Sequence, residues 1–191
     1  MRAFREAIMR EGALIVAGGD GVRSDTLYGD DGFGAQCVET LLGRYLLPRA
    51  ARVFEAGAEP GVLVDRLAEA ERIIIFDAVD FGAEPGSLTI ARRETVPALL
   101  EGRGVGGSDM TLSEALSCAT LTAGGPPAAV TLIGCQPAPA DGFGGGLSRT
   151  AATQVGPAVE ACVLELALWE CDAVPMGHAA EGVAALLPLD A

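Results

Sequence analysis

Asp31, in the run Gly29-Asp30-Asp31-Gly32-Phe33-Gly34, and Asp77, which ends Arg72-Ile73-Ile74-Ile75-Phe76-Asp77, are the residues best placed to do chemistry. Two carboxylates facing one crevice can share a divalent cation, or divide acid and base work when one raises the other's pKa. Each position also has a plain structural use. An acid before an amphipathic helix caps its free N–H groups and suits its dipole; one acid suffices, and Asp30 can serve. Asp77 follows four large apolar residues, so it reaches a sheet rim, either bonded to a loop backbone or aimed at a ligand. Glycines at 29, 32 and 34 point to a close approach to the backbone.

Short apolar runs alternating with amphipathic stretches predict the elements that position these acids, as βαβ units in a mainly parallel sheet. Ala13 to Ala17, Ala51 to Glu55 and Ile73 to Phe76 read as strands, as does Ala128 to Gly134, and Ser87 to Ala91 reads as an edge strand or hairpin partner. Phe33, Cys37, Val38, Leu41, Leu42 and Tyr45 recur at helical spacing, and Gly61 to Glu69 and Leu112 to Leu121 also read as helices. Ser148 caps a long helix whose apolar stripe is Val155, Val159, Cys162, Val163 and Leu166. The expectation is one α/β domain over 1–191, with a helical extension at 1–12 and a tail at 173–191. Its architecture is a three-layer αβα sandwich with about five main strands in flavodoxin-like order. In that order the first and third strands are neighbours, about 4.8 Å apart, and the two acids share the switch-point crevice.

Composition narrows the partners. Among 191 residues, 13 basic against 26 acidic side chains give a formal charge of −13, which argues against nucleic acid and anionic membranes. The balance fits a basic or cationic partner, such as a metal ion or a Lys/Arg-bearing peptide. Five scattered cysteines without a Cys-x-x-Cys pair read as reduced, mostly buried thiols. Ala13 to Ala17 is too short for a signal-peptide core, and no segment is expected to reach the roughly 18 apolar residues of a membrane span. A soluble, cytoplasmic monomer is expected. The Gly18–Gly29 loop lacks the G-x-G-x-x-G spacing, and its acids would repel a pyrophosphate. The only histidine, His178, sits in a Gly/Ala-rich tail. Histidine-based nucleophilic catalysis therefore lacks a base, and hydrolysis would have to run on carboxylates or a metal.

Several segments together resemble the [NiFe] hydrogenase maturation endopeptidases. Asp30-Asp31-Gly32-Phe33-Gly34 followed by Cys37-Val38-Glu39 is similar to that family's entry to its first helix. Phe76-Asp77-Ala78-Val79-Asp80-Phe81-Gly82 with Pro85-Gly86-Ser87-Leu88, then Leu132-Ile133-Gly134-Cys135-Gln136-Pro137 and Asp141-Gly142-Phe143-Gly144-Gly145-Gly146-Leu147-Ser148, follow in order. The resemblance implies removal of a C-terminal extension from the hydrogenase large-subunit precursor after nickel insertion. It also implies catalytic and metal-facing roles for Asp31 and Asp77, with nickel supplied by the precursor.

Three departures stand out. The turn after the first strand is the longer, acidic Gly18–Gly29 loop, and the second-strand motif reads Glu55-Ala56-Gly57-Ala58. The family's histidine ligand falls at Ser108, in Ser108-Asp109-Met110-Thr111-Leu112-Ser113-Glu114. Serine is a poor nickel ligand, so Asp109 is the candidate third metal ligand, its alternative being a cap on the helix near 111; His178 is a distant replacement. The leading expectation is an endopeptidase. Its rivals are a binding or assembly factor for the large subunit that does not cut, and a metal-free aspartic dyad.

Overall fold

A computed structural model describes residues 12–18, 29–55, 60–101, 104–105, 108–139 and 145–177. Residues 1–11 of the expected N-terminal extension, 19–28 of the Gly18–Gly29 loop, and 178–191 with His178 lie outside the described residues. In chain order the elements are β1 (Ala13–Ala17), a 3-10 turn (Gly29–Gly32), α1 (Phe33–Arg44), β2 (Tyr45–Leu46) and β3 (Ala51–Glu55). Then come α2 (Pro60–Glu69), β4 (Arg72–Ala78), β5 (Leu88–Arg92), a second 3-10 turn (Arg93–Thr95) and α3 (Val96–Leu99). An antiparallel pair, β6 (Gly104–Val105) and β7 (Ser108–Thr111), precedes α4 (Leu112–Ala123), β8 (Ala129–Cys135), α5 (Arg149–Leu168) and β9 (Val174–Pro175).

The main sheet runs β3-β1-β4-β8-β5, with the first four strands parallel and β5 antiparallel to β8. The neighbouring of the first and third main strands, β1 and β4, is as expected. At the far edge the flavodoxin-like order gives way: β8 sits beside β4, and β5 lies outside it. No crossover helix separates β4 from β5, so the chain reverses over residues 79–87 and returns antiparallel. β8 arrives through α4 and takes the parallel position next to β4.

β1 is apolar throughout and wholly buried, as a strand covered on both faces must be. Alternate residues serve two cores. Ile15, Ala17, Ile74, Phe76 and Ile133 meet α1 and α5 on one face. Leu14, Val16, Ile73, Ile75 and Leu132 meet α2, α3 and α4 on the other. α5 is long and apolar enough, by length and composition alone, to cross a membrane, contrary to the sequence reading. Its Val155, Val159, Cys162 and Leu166 stripe is instead buried in the first core. The tail begins with structure: β9 pairs antiparallel with β2, Leu46 opposite Val174.

The edge strand β5 is fastened by a buried acid. Glu165 of α5 accepts two bonds from the Arg92 guanidinium, at 3.1 and 2.7 Å, and one from the Thr131 hydroxyl at 2.7 Å. Burial pushes the Glu165 carboxyl up, but these bonds and the charge of Arg92 outweigh it and hold it below the usual carboxylate range.

Candidate active site

Asp77 does not end its strand. β4 continues to Ala78, and Asp77 pairs with Gly134 of β8 inside the ladder, with 0% exposure. Its Oδ1 accepts from the Ala78 amide at 2.8 Å, which fixes the carboxylate's orientation. Strand alternation places Asp77 on the face of Ile73 and Ile75, the side covered by α2 and α4.

Two glycines make room at this edge. The Gly18 amide donates to the Phe76 carbonyl at 2.7 Å, continuing the β1–β4 ladder. A Cβ on Gly18 would stand 2.5 Å from Asp77 Cγ and 2.7 Å from Oδ2. A Cβ on Gly34, in the first turn of α1, would stand 2.5 Å from the Phe76 carbonyl oxygen and 2.6 Å from that of Gly18. The acidic turn and α1 therefore press directly on the ends of β1 and β4, which bulkier residues would forbid.

Asp30 and Asp31 part company. Asp30 is buried, and its carboxylate accepts from the amides of Ala138 and Ser148 and from the Ser148 hydroxyl. It does not cap α1, whose N-cap position is Gly32 with no side-chain bond. Asp31 is only partly buried. The turn that carries it packs against β4 and leads into α1, on the face opposite Asp77. Asp77 thus stands within β4 near its C-terminal end, and the turn bearing Asp31 packs against the same strand from the α1 side.

The candidate third position belongs to β7, which leads into α4 on Asp77's face. The side chains of Ser108 and Asp109 lie outside the described residues. Asp109 is not the helix cap: Thr111 is, accepting from the Glu114 amide at 3.2 Å while Glu114 accepts from the Thr111 amide at 2.8 Å. Among the described residues no group of three His, Cys, Asp or Glu side chains converges to hold a metal ion. Asp31 and Asp77 supply hard oxygen donors, and completing a cation's shell requires further ligands.

Gln136, just past β8, organises the wall beside Asp77 and was not singled out from sequence. Its side-chain oxygen accepts from the amides of Phe81 and Ala83 at 2.9 and 3.2 Å, and its nitrogen donates to Asp80 at 3.0 Å. Its backbone pairs with Gly86 and Ser87. The Gln136 bond, with one from the Gly82 amide, holds the Asp80 carboxyl below the usual range. A glutamine directly after a buried strand, facing a Gly/Pro-punctuated loop, was the available signal. Cys135, beneath it, is pushed up to about 11 by burial and by the charge of Asp30.

A parallel α/β sheet with an acid buried at its C-terminal edge and a second acidic segment closing on it defines the class. Within that class, the family described as HycI, hydrogenase maturation protease, matches residues 35–165. The hydrogenase expression/formation protein HupD of Rhodobacter capsulatus is 37% identical over 145 residues, covering 76% of this chain and 69% of that protein. The hydrogenase 2 maturation protease of Escherichia coli is 31% identical over 147 residues, covering 76% of this chain and 88% of that one. The structure of the hydrogenase maturating endopeptidase HybD from E. coli superposes with a TM-score of 0.71 at 26% identity, over 87% of this chain and 99% of that chain. The chain belongs to the hydrogenase maturation protease family.

Proposed function

We propose that this protease removes the C-terminal extension of a [NiFe] hydrogenase large-subunit precursor in the cytoplasm, acting as a monomer once nickel has been inserted. Asp31 and Asp77 face the precursor's nickel, so that only loaded precursor presents its scissile bond correctly. The observation that carries this reading is Asp77: a fully buried, pre-oriented carboxylate at the sheet edge where open α/β proteins bind ligands, with Gly18 left bare beside it. An orientation fixed in advance needs no rearrangement when charge develops. Asp31 and Asp77 would hold a metal ion there, and the chemistry it would supply is polarisation of the scissile carbonyl.

The test is incubation of nickel-loaded precursor with the protein and mass spectrometry for the released peptide. Asp77→Asn with native folding is expected to lose cleavage; full activity in that variant would remove Asp77 from the mechanism.

A second reading is favoured by Ser108 standing where the resemblance calls for histidine: a family member that binds the precursor without cutting it. It predicts a stable complex with nickel-loaded precursor and no released peptide.

A further inference from the structure

Asp30 carries a formal charge into a nearly closed site, at 8% exposure, and spends it on three fixed donors. Oδ2 accepts from the Ala138 amide at 2.7 Å and the Ser148 hydroxyl at 2.9 Å, and Oδ1 accepts from the Ser148 amide at 2.7 Å. Ser148 is the N-cap of α5 and accepts from the Ala151 amide at 3.2 Å, so the anchor point is itself rigid. A fourth bond reaches the same region, from the Gly29 amide to the Gly145 carbonyl at 3.2 Å. One carboxylate thus ties the turn Gly29–Gly32 to the exit of β8 and to the start of α5.

We propose that Asp30 is a positioning residue for cleavage: it never meets substrate, and it fixes Asp31 at the crevice by clamping the turn the two share. Consecutive Cα atoms are about 3.8 Å apart, so a shift of Asp30 is transmitted almost whole to Asp31. The clamp suits a side chain with two acceptor oxygens. Three donors converge on Asp30, and asparagine would offer one acceptor oxygen and turn its own N–H groups toward a donor. The proposal rests on the reading of Asp31 as a site acid.

The test is a double-mutant cycle with Asp30→Asn, Asp31→Asn and the pair, assayed on nickel-loaded precursor well below each variant's Tm. A misplacement of this kind is expected to lower kcat at least about tenfold. In the Asp31→Asn background, Asp30→Asn is expected to cost no more than about twofold, because its effect runs through Asp31. An unchanged kcat in Asp30→Asn, or a full multiplicative loss in the pair, overturns the proposal. Should Asp30→Asn fail to fold, Ser148→Ala replaces it in the cycle: it deletes one of the three bonds together with the Ala151 cap of α5, and keeps the amide donor. Should the wild type not cut precursor at all, the function falls on its own. The clamp is then judged by amide hydrogen exchange: faster exchange at Asp31 to Gly34 in Asp30→Asn supports it, and unchanged protection overturns it.

Discussion

The side chain that Gly18 lacks is the space that the Asp77 carboxyl group fills. The two residues sit on adjacent parallel strands, one just past the end of β1 and the other one residue short of the end of β4. A Cβ at position 18 would come within 2.5 Å of Asp77 Cγ. The strand ladder fixes both backbones, so neither can retreat.

Gly18→Ala should therefore cost roughly 1–3 kcal/mol of stability, the usual range for overpacking a closed site. It should also reduce precursor cleavage at temperatures where the variant remains folded, because the Asp77 carboxylate is what must turn away. Thermal unfolding and single-turnover cleavage check the two parts separately. Wild-type cleavage in a folded Gly18→Ala variant would show that the carboxylate's position is not critical.

Gln136→Leu removes the acceptor for the Phe81 and Ala83 amides and the donor to Asp80. The expected outcome is faster hydrogen exchange at Phe81 and Ala83 and a raised KM, with the main sheet intact. Gln136→Glu keeps the acceptor but sets a like charge against Asp80, so its defect should ease as pH falls and the carboxyls protonate. A KM independent of pH in Gln136→Glu would count against the Asp80 contact.

The Arg92–Glu165 pair predicts a pH dependence with a defined sign. A carboxyl held below its ordinary pKa contributes stability that is present above the unfolded value and lost as pH falls through the folded one. Arg92→Ala should cost roughly 1–3 kcal/mol near neutrality, the range for hydrogen bonds to a charged group. It removes the largest influence that lowers the carboxyl and leaves burial to raise it, so the loss on acidification that Glu165 contributes in the wild type should shrink or reverse in the variant. Urea unfolding from about pH 7 down to about pH 3, through and below the ordinary glutamate pKa, gives the comparison. Parallel curves for wild type and variant would refute the coupling.

Thiol labelling tests the core around α1 and α5. Burial pushes Cys162 up to about 12, helped by the charge of Glu165, and raises Cys135 to about 11. Cys37 is raised further, by burial and by its neighbours Cys135 and Cys162. These thiols stay protonated at about pH 8, where an ordinary thiol is partly ionised. Iodoacetamide should modify Cys118, which is partly exposed, in the folded protein and reach the buried four only after unfolding. Early labelling of Cys37 or Cys162 would contradict the packing.

Much of this was legible in local pattern. Strand β1 and the Ile73–Phe76 centre of β4 announce themselves as apolar runs, and Ser148 caps α5 as its type predicts. The adjacency of β1 and β4 followed from the α/β order. The division of labour between Asp30 and Asp31 was not legible, because it is decided by Ala138 and Ser148, 108 and 118 residues further along. The place of β5 at the sheet edge was one of the two readings of Ser87 to Ala91; its pairing with β8 rather than β4 escaped, because nothing in a short strand states which neighbour it will pair with. Asp109 looked like a helix cap because acids often are, yet the reciprocal Thr111–Glu114 box was written at the required spacing of three.

The clamp made by Asp30 also sets an order of events in time. The acidic turn belongs to the first third of the chain, and its anchors to the last third. During synthesis β1 and α1 emerge long before Ser148, and contacts that span such distances form late. The rim around Asp31 is therefore finished only after α5 has folded onto the sheet. On the proposed roles, a chain that stops short of Ser148 lacks the anchor that places Asp31, and it is expected to bind or cut precursor less well than the full chain.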